Sequence, residues 1–169
     1  MRPGIDSTPL EALKWLINEA RRYDASVSLH INLQKATADN DLYHLYEAED
    51  LLCKGIFGQL LYRNAHSARY RTARINTKLE WESGLTQKRI DDLMAMLPEL
   101  QEVGTIHIDN FRPFPSTGHG TSPEDIMPYL KLIMAYFRDN YGVDVSSEST
   151  FNRRPNNDNM YGFQPWALS

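Results

Sequence analysis

Residues 104–111 read GTIHIDNF, and the fold turns on how this stretch is oriented. Ile106 and Ile108 alternate with His107 and Asp109, so a strand here is aliphatic on one face and polar on the other. Strands sandwiched between helices are ordinarily near-continuous Val, Ile and Leu. A row holding an imidazole and a carboxylate therefore needs a reason.

The pattern recurs twice. In SVSLHINL, Val27, Leu29, Ile31 and Leu33 oppose Ser28, His30 and Asn32; in VDVSSES, Val143 and Val145 oppose Asp144, Ser146 and Glu148. Between these strands lie amphipathic helical patterns. Thr8 or Ser7 caps a helix from Pro9, striped by Leu10, Leu13, Leu16, Ile17 and Ala20. Thr86 is expected to cap a helix bearing Ile90, Leu93, Met94, Leu97 and Leu100, after a short extended segment that ends at Gly84. Ser122, Pro123 and Asp125 open a third helix, with Ile126, Leu130, Ile133, Met134 and Phe137 as its buried stripe and Gly142 as its stop. Pro128 conflicts with that helix and predicts a kink or a later start. Residues 34–71 read as an irregular excursion, with a helical pattern around Leu42 to Leu52, and long excursions in compact domains are usually functional.

Strands alternating with helices imply an α/β fold with parallel strands joined by crossovers. A (β/α)8 barrel takes about 250 residues. The 169 residues are thus expected to form one domain, either a small doubly wound sheet or a segment of a larger barrel. A curved sheet with a wet concave side accounts for the polar rows, and places His107 and Asp109 on a pocket. Singly, each residue has a plainer reading: His107 as a hydrogen-bonded core histidine, Asp109 as a loop cap, Glu148 as a partner of Arg153 or Arg154. Three strands with one pattern favour the pocket.

The net charge of −4, without a basic block, disfavours a nucleic-acid partner. No apolar run is long enough to span a membrane, and MRPGIDSTPLEALKW lacks the layout of a signal peptide. Cys53 is alone, so neither an internal disulfide nor a cysteine zinc site is expected. Nine tyrosines and three tryptophans suit stacking on sugar rings, although by count alone core-edge packing accounts for them better.

Glu148 follows Asp109 by 39 residues, the span of one strand–helix–strand step. Adjacent parallel strands lie about 4.8 Å apart, so two carboxylates at neighbouring C-terminal ends can approach the roughly 5–5.5 Å of a retaining glycosidase. One carboxylate attacks the anomeric carbon; the other protonates the leaving oxygen and then deprotonates water.

The segments SLHINLQKA, LEWESG, TIHIDNF and GVDVSSES, in this order, resemble the catalytic (β/α)8 barrel of the endo-α-N-acetylgalactosaminidases, glycoside hydrolase family 101, over about strands three to five. The resemblance implies a barrel segment within a large secreted or surface-attached bacterial protein, releasing with retention the core disaccharide O-linked to serine or threonine of glycoproteins, without a cofactor. On this chain it implies Asp109 as nucleophile and Glu148 as acid/base. His30 and Asn32 then line the sugar subsite, with His107 and Trp81 as further substrate neighbours. Two alternatives stand beside it: a metal-dependent hydrolase with His30, His107, Asp109 and Glu148 as ligands, and a non-catalytic glycan-binding module.

Overall fold

The structure, a computed structural model, describes residues 8–63 and 72–147. Its first helix, α1 (Pro9–Arg21), begins with a capping box: Thr8 Oγ1 accepts the Glu11 N–H while the Glu11 carboxylate accepts the Thr8 N–H. The extended stretch that follows pairs as a strand only at β1 (His30–Ile31). The chain then bends into β2 (Lys35–Thr37) and the short helix α2 (Tyr43–Ala48). Next come β3 (Tyr62–Arg63) and β4 (Thr72–Arg74). Three helices follow: α3 (Thr77–Glu82), α4 (Leu85–Met96) and α5 (Glu99–Val103). The GTIHIDNF stretch supplies β5 (Thr105–Ile108), after which α6 (Pro123–Tyr141) leads to β6 (Asp144–Ser146).

Two sheets result. The first is parallel, in the order β1-β5-β6; the second is antiparallel, in the order β2-β4-β3. The aliphatic phase of the parallel sheet faces a layer of helices. Ile106, Ile108 and Val145 pack with Ile17 of α1, Ile90 and Met94 of α4, Leu100 of α5, and Leu130, Ile133 and Phe137 of α6. One-sided helical cover is why each strand tolerates a polar row. The fold is a mixed α/β arrangement built on three parallel strands, not a complete eight-stranded barrel.

The second sheet is an insertion between β1 and α3 with its own core, in which Tyr43, Tyr46, Leu51, Leu52, Ala73 and Ile75 cluster. The described part of the 34–71 stretch thus carries strands, a helix and buried aromatics where an irregular excursion was expected. Cys53 is buried there and unpaired, and burial pushes its thiol up to about 11.

Several local expectations need correction. The segment before Gly84 is extended only through Ile75; Asn76 then caps α3 by accepting the Leu79 N–H. Thr86 is not a cap. Gly84, at φ 82°, turns the chain directly from α3 into α4, and Thr86 lies buried inside that helix. The helix around Leu42 to Leu52 is confined to Tyr43–Ala48. Helix α6 starts at Pro123, sealed by a Ser122/Asp125 capping box, and runs through Pro128 rather than starting after it. Pro128 stands within the first two turns, where the only intrahelical acceptor it forgoes is the Glu124 carbonyl near the solvated end. Among the described residues no helix is long and apolar enough to cross a membrane.

If the one-sided core holds the fold together, α6 should be sharply anisotropic to substitution. Phe137→Ala, at a fully buried position, should lower the unfolding free energy by about 3–5 kcal/mol. Leu132→Ala, exposed on the same helix, should change it by about 0.5 kcal/mol or less. Urea unfolding followed by circular dichroism checks both, and equal effects would contradict this packing.

Candidate active site

Parallel pairing brings the polar rows into register. His30 stands opposite His107, and His107 opposite Ser146, so one line of side chains crosses all three strands. The two imidazoles meet edge to face with ring centroids 4.8 Å apart, and His107 Nδ1 lies 3.0 Å from Ser146 Oγ. Two residues further on comes the next line. The Asp109 N–H donates to the Ile31 carbonyl at 2.8 Å, so the ladder still governs the backbone there. Asn110 then takes a left-handed φ of 49°, which Asn tolerates better than most residues, and the chain leaves the sheet.

The Asp109 carboxylate is held from two sides. Asn32 Nδ2 donates to Oδ2 at 2.8 Å, and the Lys35 ammonium forms an ion pair with the same oxygen. His30 Nε2 stands 3.9 Å from Oδ1. The orientation of the Asn32 amide is fixed independently, because its oxygen accepts the Gln34 N–H at 3.0 Å. Gln34 in turn is buried. Its amide donates to Thr77 Oγ1 and to the Arg112 carbonyl, both at 2.9 Å, and accepts the Arg112 N–H at 3.0 Å. That pairing ties the segment after β1 to the loop after β5, the two segments that carry Asn32 and Asp109. The loop is also tied to β6, since Ser147 Oγ accepts the Phe111 N–H at 3.2 Å.

Beneath this lies a charged support. Arg89 of α4 reaches the ends of β1, donating to the carbonyls of Asn32 at 3.3 Å and Leu33 at 3.4 Å. The same guanidinium pairs at 2.6 Å with Glu80, whose side chain is 1 % exposed and which also accepts the Tyr46 hydroxyl at 2.8 Å. Burial, with Glu80 beside it, drives the Tyr46 phenol far above its ordinary range.

A hollow of about 490 Å³ opens on the polar face and is lined by Ser26, Ser28, His30, Thr105 and His107, with Leu29 and Val103. It covers the N-terminal half of the polar rows. Asp109 and Asn32 are not among its lining residues. They sit at the next step toward the C-terminal strand ends, and His30 belongs to both places.

Of the residues expected at the site, His30, Asn32, His107 and Asp109 are therefore brought together. Trp81 is not. It lies on α3, its ring edge-to-face with that of Tyr136 at 5.9 Å, packed against the helical core. Glu148 lies outside the described residues. Among the described residues no group of three or more His, Cys, Asp and Glu side chains is placed to hold a metal ion. Sequence reasoning missed Lys35, Gln34 and the Glu80–Arg89 pair. A signal was available for the last, because an acid and a base nine positions apart flank the Gly84 turn.

No protein-family model matches the chain's sequence, and no curated protein matches it. Among solved structures it resembles the ligand-free alpha-N-acetylgalactosaminidase NagBb from Bifidobacterium bifidum, with a TM-score of 0.60 and 11 % identity over 82 % of this chain and 22 % of that one. A GH31 family sulfoquinovosidase from E. rectale, in complex with the aza-sugar inhibitor IFGSQ, gives a TM-score of 0.48 and 13 % identity over 80 % of this chain and 21 % of that one. The chain spans about a fifth of the length of these neighbours. At such identity the likeness to the first is one of fold: a mixed α/β unit with a parallel sheet, similar to part of a glycosidase.

The support under β1 should be brittle. Arg89→Met should cost about 3–5 kcal/mol, since it strands the Glu80 carboxylate in the interior. Lys88→Met, which breaks an exposed pair with Asp92 on the same helix, should cost at most about 1 kcal/mol. Chemical denaturation of the two variants checks the contrast.

Proposed function

We propose that this chain is a catalytic-core segment of a retaining glycoside hydrolase acting on α-linked O-glycans, in the manner of an endo-α-N-acetylgalactosaminidase. The observation that carries the reading is the Asp109 carboxylate. It stands at the C-terminal end of the middle strand of a parallel sheet, oriented by Asn32 and Lys35 and next to a polar hollow. In barrel glycosidases and related folds, substrate chemistry takes place at that end of the strands. The likeness of fold to a glycosidase supports the class, and the sequence words quoted above support the substrate.

In this mechanism Asp109 attacks the anomeric carbon, and the leaving oxygen takes a proton from Glu148. Glu148 then removes a proton from water, which opens the glycosyl–enzyme ester and returns the sugar with its original configuration. Glu148 is two residues beyond Ser146, just as Asp109 is two beyond His107, and Ser146 and His107 are register partners. This parity favours the pair as nucleophile and acid/base. His30 and His107 are assigned to sugar hydroxyls, with Asn32 holding the nucleophile. The chemistry requires no redox cofactor. An extracellular or cell-surface setting follows from the glycoprotein substrate.

The test is hydrolysis of an aryl α-glycoside of the core disaccharide. Asp109→Asn should lower kcat on the order of 10⁴-fold. Glu148→Ala should lose roughly 10²–10⁴-fold with a poor leaving group, while with an activated one it should be rescued by azide, giving the glycosyl azide with retained configuration. Turnover by Asp109→Asn at the wild-type rate would remove the two-carboxylate reading.

A further inference from the structure

Lys35 belongs to neither polar row, yet its ammonium is packed onto the Asp109 carboxylate. It opens β2 and is fixed there by the antiparallel ladder, opposite Arg74. Its side chain is 12 % exposed and that of Asp109 24 %, against 68 % and 59 % for the surface pair Lys88–Asp92. An ammonium so little hydrated requires a partner, and screening by solvent is weaker there than at the surface. Its partner atom is Oδ2, the oxygen that also accepts Asn32 Nδ2 at 2.8 Å. Two donors converging on one oxygen fix the rotation of the carboxylate, and Oδ1 is then the oxygen turned toward His30.

Resting on the reading of Asp109 as nucleophile, we propose that Lys35 is a positioning residue, clamping Oδ2 so that the carboxylate stays charged and presents Oδ1 to the sugar. The insertion thereby contributes to the chemistry, because β2 is its first strand. Among the described residues, the imidazole of His30 on β1 also stands beside Asp109, and His107 lies two residues before it on β5. The cations on the flanking segments are otherwise engaged: the guanidinium carbons of Arg74 and Arg112 lie 4.1 and 5.0 Å from the ring centre of Phe114.

The inference is tested by carbon-13 NMR titration of the Asp109 side chain in wild type, Lys35→Met and Lys35→Arg, together with the pH profile of kcat/KM on the aryl glycoside. A neighbouring ammonium favours the charged carboxylate, so its removal makes the carboxyl hold its proton to higher pH. In Lys35→Met the Asp109 titration should move upward, and the acid limb of the profile with it. At neutral pH kcat should fall roughly tenfold or more while KM changes less. Lys35→Arg should return the titration most of the way to wild type. A lysine that only braces the fold would lower thermal stability and could shift the titration while leaving kcat and the acid limb of the profile unchanged. An unmoved titration or an unmoved kcat in a folded Lys35→Met therefore overturns the inference. If the titration moves but wild type hydrolyses no glycoside, the charge clamp stands and the reading of Asp109 as nucleophile falls.

Discussion

Arg89 is the point at which the parts of this molecule meet. Its guanidinium receives a carboxylate from α3, reaches two carbonyls at the end of β1, and through Glu80 is joined to the Tyr46 hydroxyl in the core of the insertion. Each partner alone would be costly, since an unpaired carboxylate at the depth of Glu80 forfeits its hydration. Together they satisfy one another in a single geometry. That geometry sets where β1 stops, and hence where Asn32 and Gln34 point. A pair of this kind adds little net stability against an apolar replacement, but it penalises alternatives, because an arrangement that separates these elements leaves a buried charge without its partner. The placement of Asn32 against Asp109 is the consequence that matters.

A second set of polar contacts holds the insertion to the loop leaving β5. Ser116 Oγ accepts the Lys54 N–H at 2.8 Å and lies 2.7 Å from His119 Nδ1. Asp50 takes an ion pair from Lys54, and His119 Nε2 lies 3.3 Å from its other oxygen without the alignment of a hydrogen bond. The Lys54 ammonium, and to a lesser extent His119, hold the Asp50 carboxyl below its ordinary range. Although serine, histidine and aspartate are adjacent here, Ser116 is fully buried and its hydroxyl also accepts the Lys54 N–H, so the trio is a clasp closed to a substrate and not a nucleophile. The approach is close enough that a side chain at Gly118 would run into the Gly55 carbonyl, a Cβ there standing 2.5 Å from it. Glycine is required at that contact for lack of space, not for its dihedral freedom. Through this clasp and through Lys35, the insertion is fastened on both sides of Asp109.

What the sequence made legible was what depends on neighbours close along the chain. The caps at Thr8 and Ser122, the α6 stripe of Ile126, Leu130, Ile133 and Phe137 and the alternation at Ile106 and Ile108 are short-range patterns with a fixed period, and the structure has them. Leu16 of the α1 stripe, by contrast, is exposed, and the stripe from Ile90 to Leu100 breaks between α4, which ends at Met96, and α5, which carries Leu100. Helix α3 escaped because Asn76 competes with the strand-like residues just before it; only the buried packing of Thr77 and Glu80 decides the matter. Thr86 was misread because a hydroxyl near a helix start suggests a cap, whereas a left-handed glycine two residues earlier had already made the turn. The insertion was illegible for another reason. Strands of two or three residues carry no readable period, and their pairing, Ala36 with Ala73, links positions 37 apart. Lys35 shares that fate: its role exists only once the chain has bent after Leu33.

The polar hollow and the carboxylate are not the same place, and their relation bears on what the sheet can do. In a strand each step of two residues along one face advances about 6.6–6.8 Å. The His30–His107–Ser146 line and the line of Asn32 and Asp109 are therefore about one sugar-ring width apart. His30 lines the hollow and also stands beside Oδ1 of Asp109, so a ring seated against that carboxylate would have its hydroxyls within reach of the imidazoles. Among the described residues the lining of the hollow is hydroxyl, imidazole and aliphatic, with no acid or fixed cation. A neutral polar surface of that kind suits uncharged hydroxyl or acetamido groups, and the charge is concentrated one step away, at the Asp109–Lys35 pair. Under the proposed reading of Asp109 as nucleophile such a separation would serve a glycosidase, since recognition of a neutral sugar and stabilisation of an oxocarbenium-like transition state make opposite demands on local charge. The alternation that first set Ile106 and Ile108 apart from His107 and Asp109 is the simplest way for a strand to meet both demands while its other face builds the core.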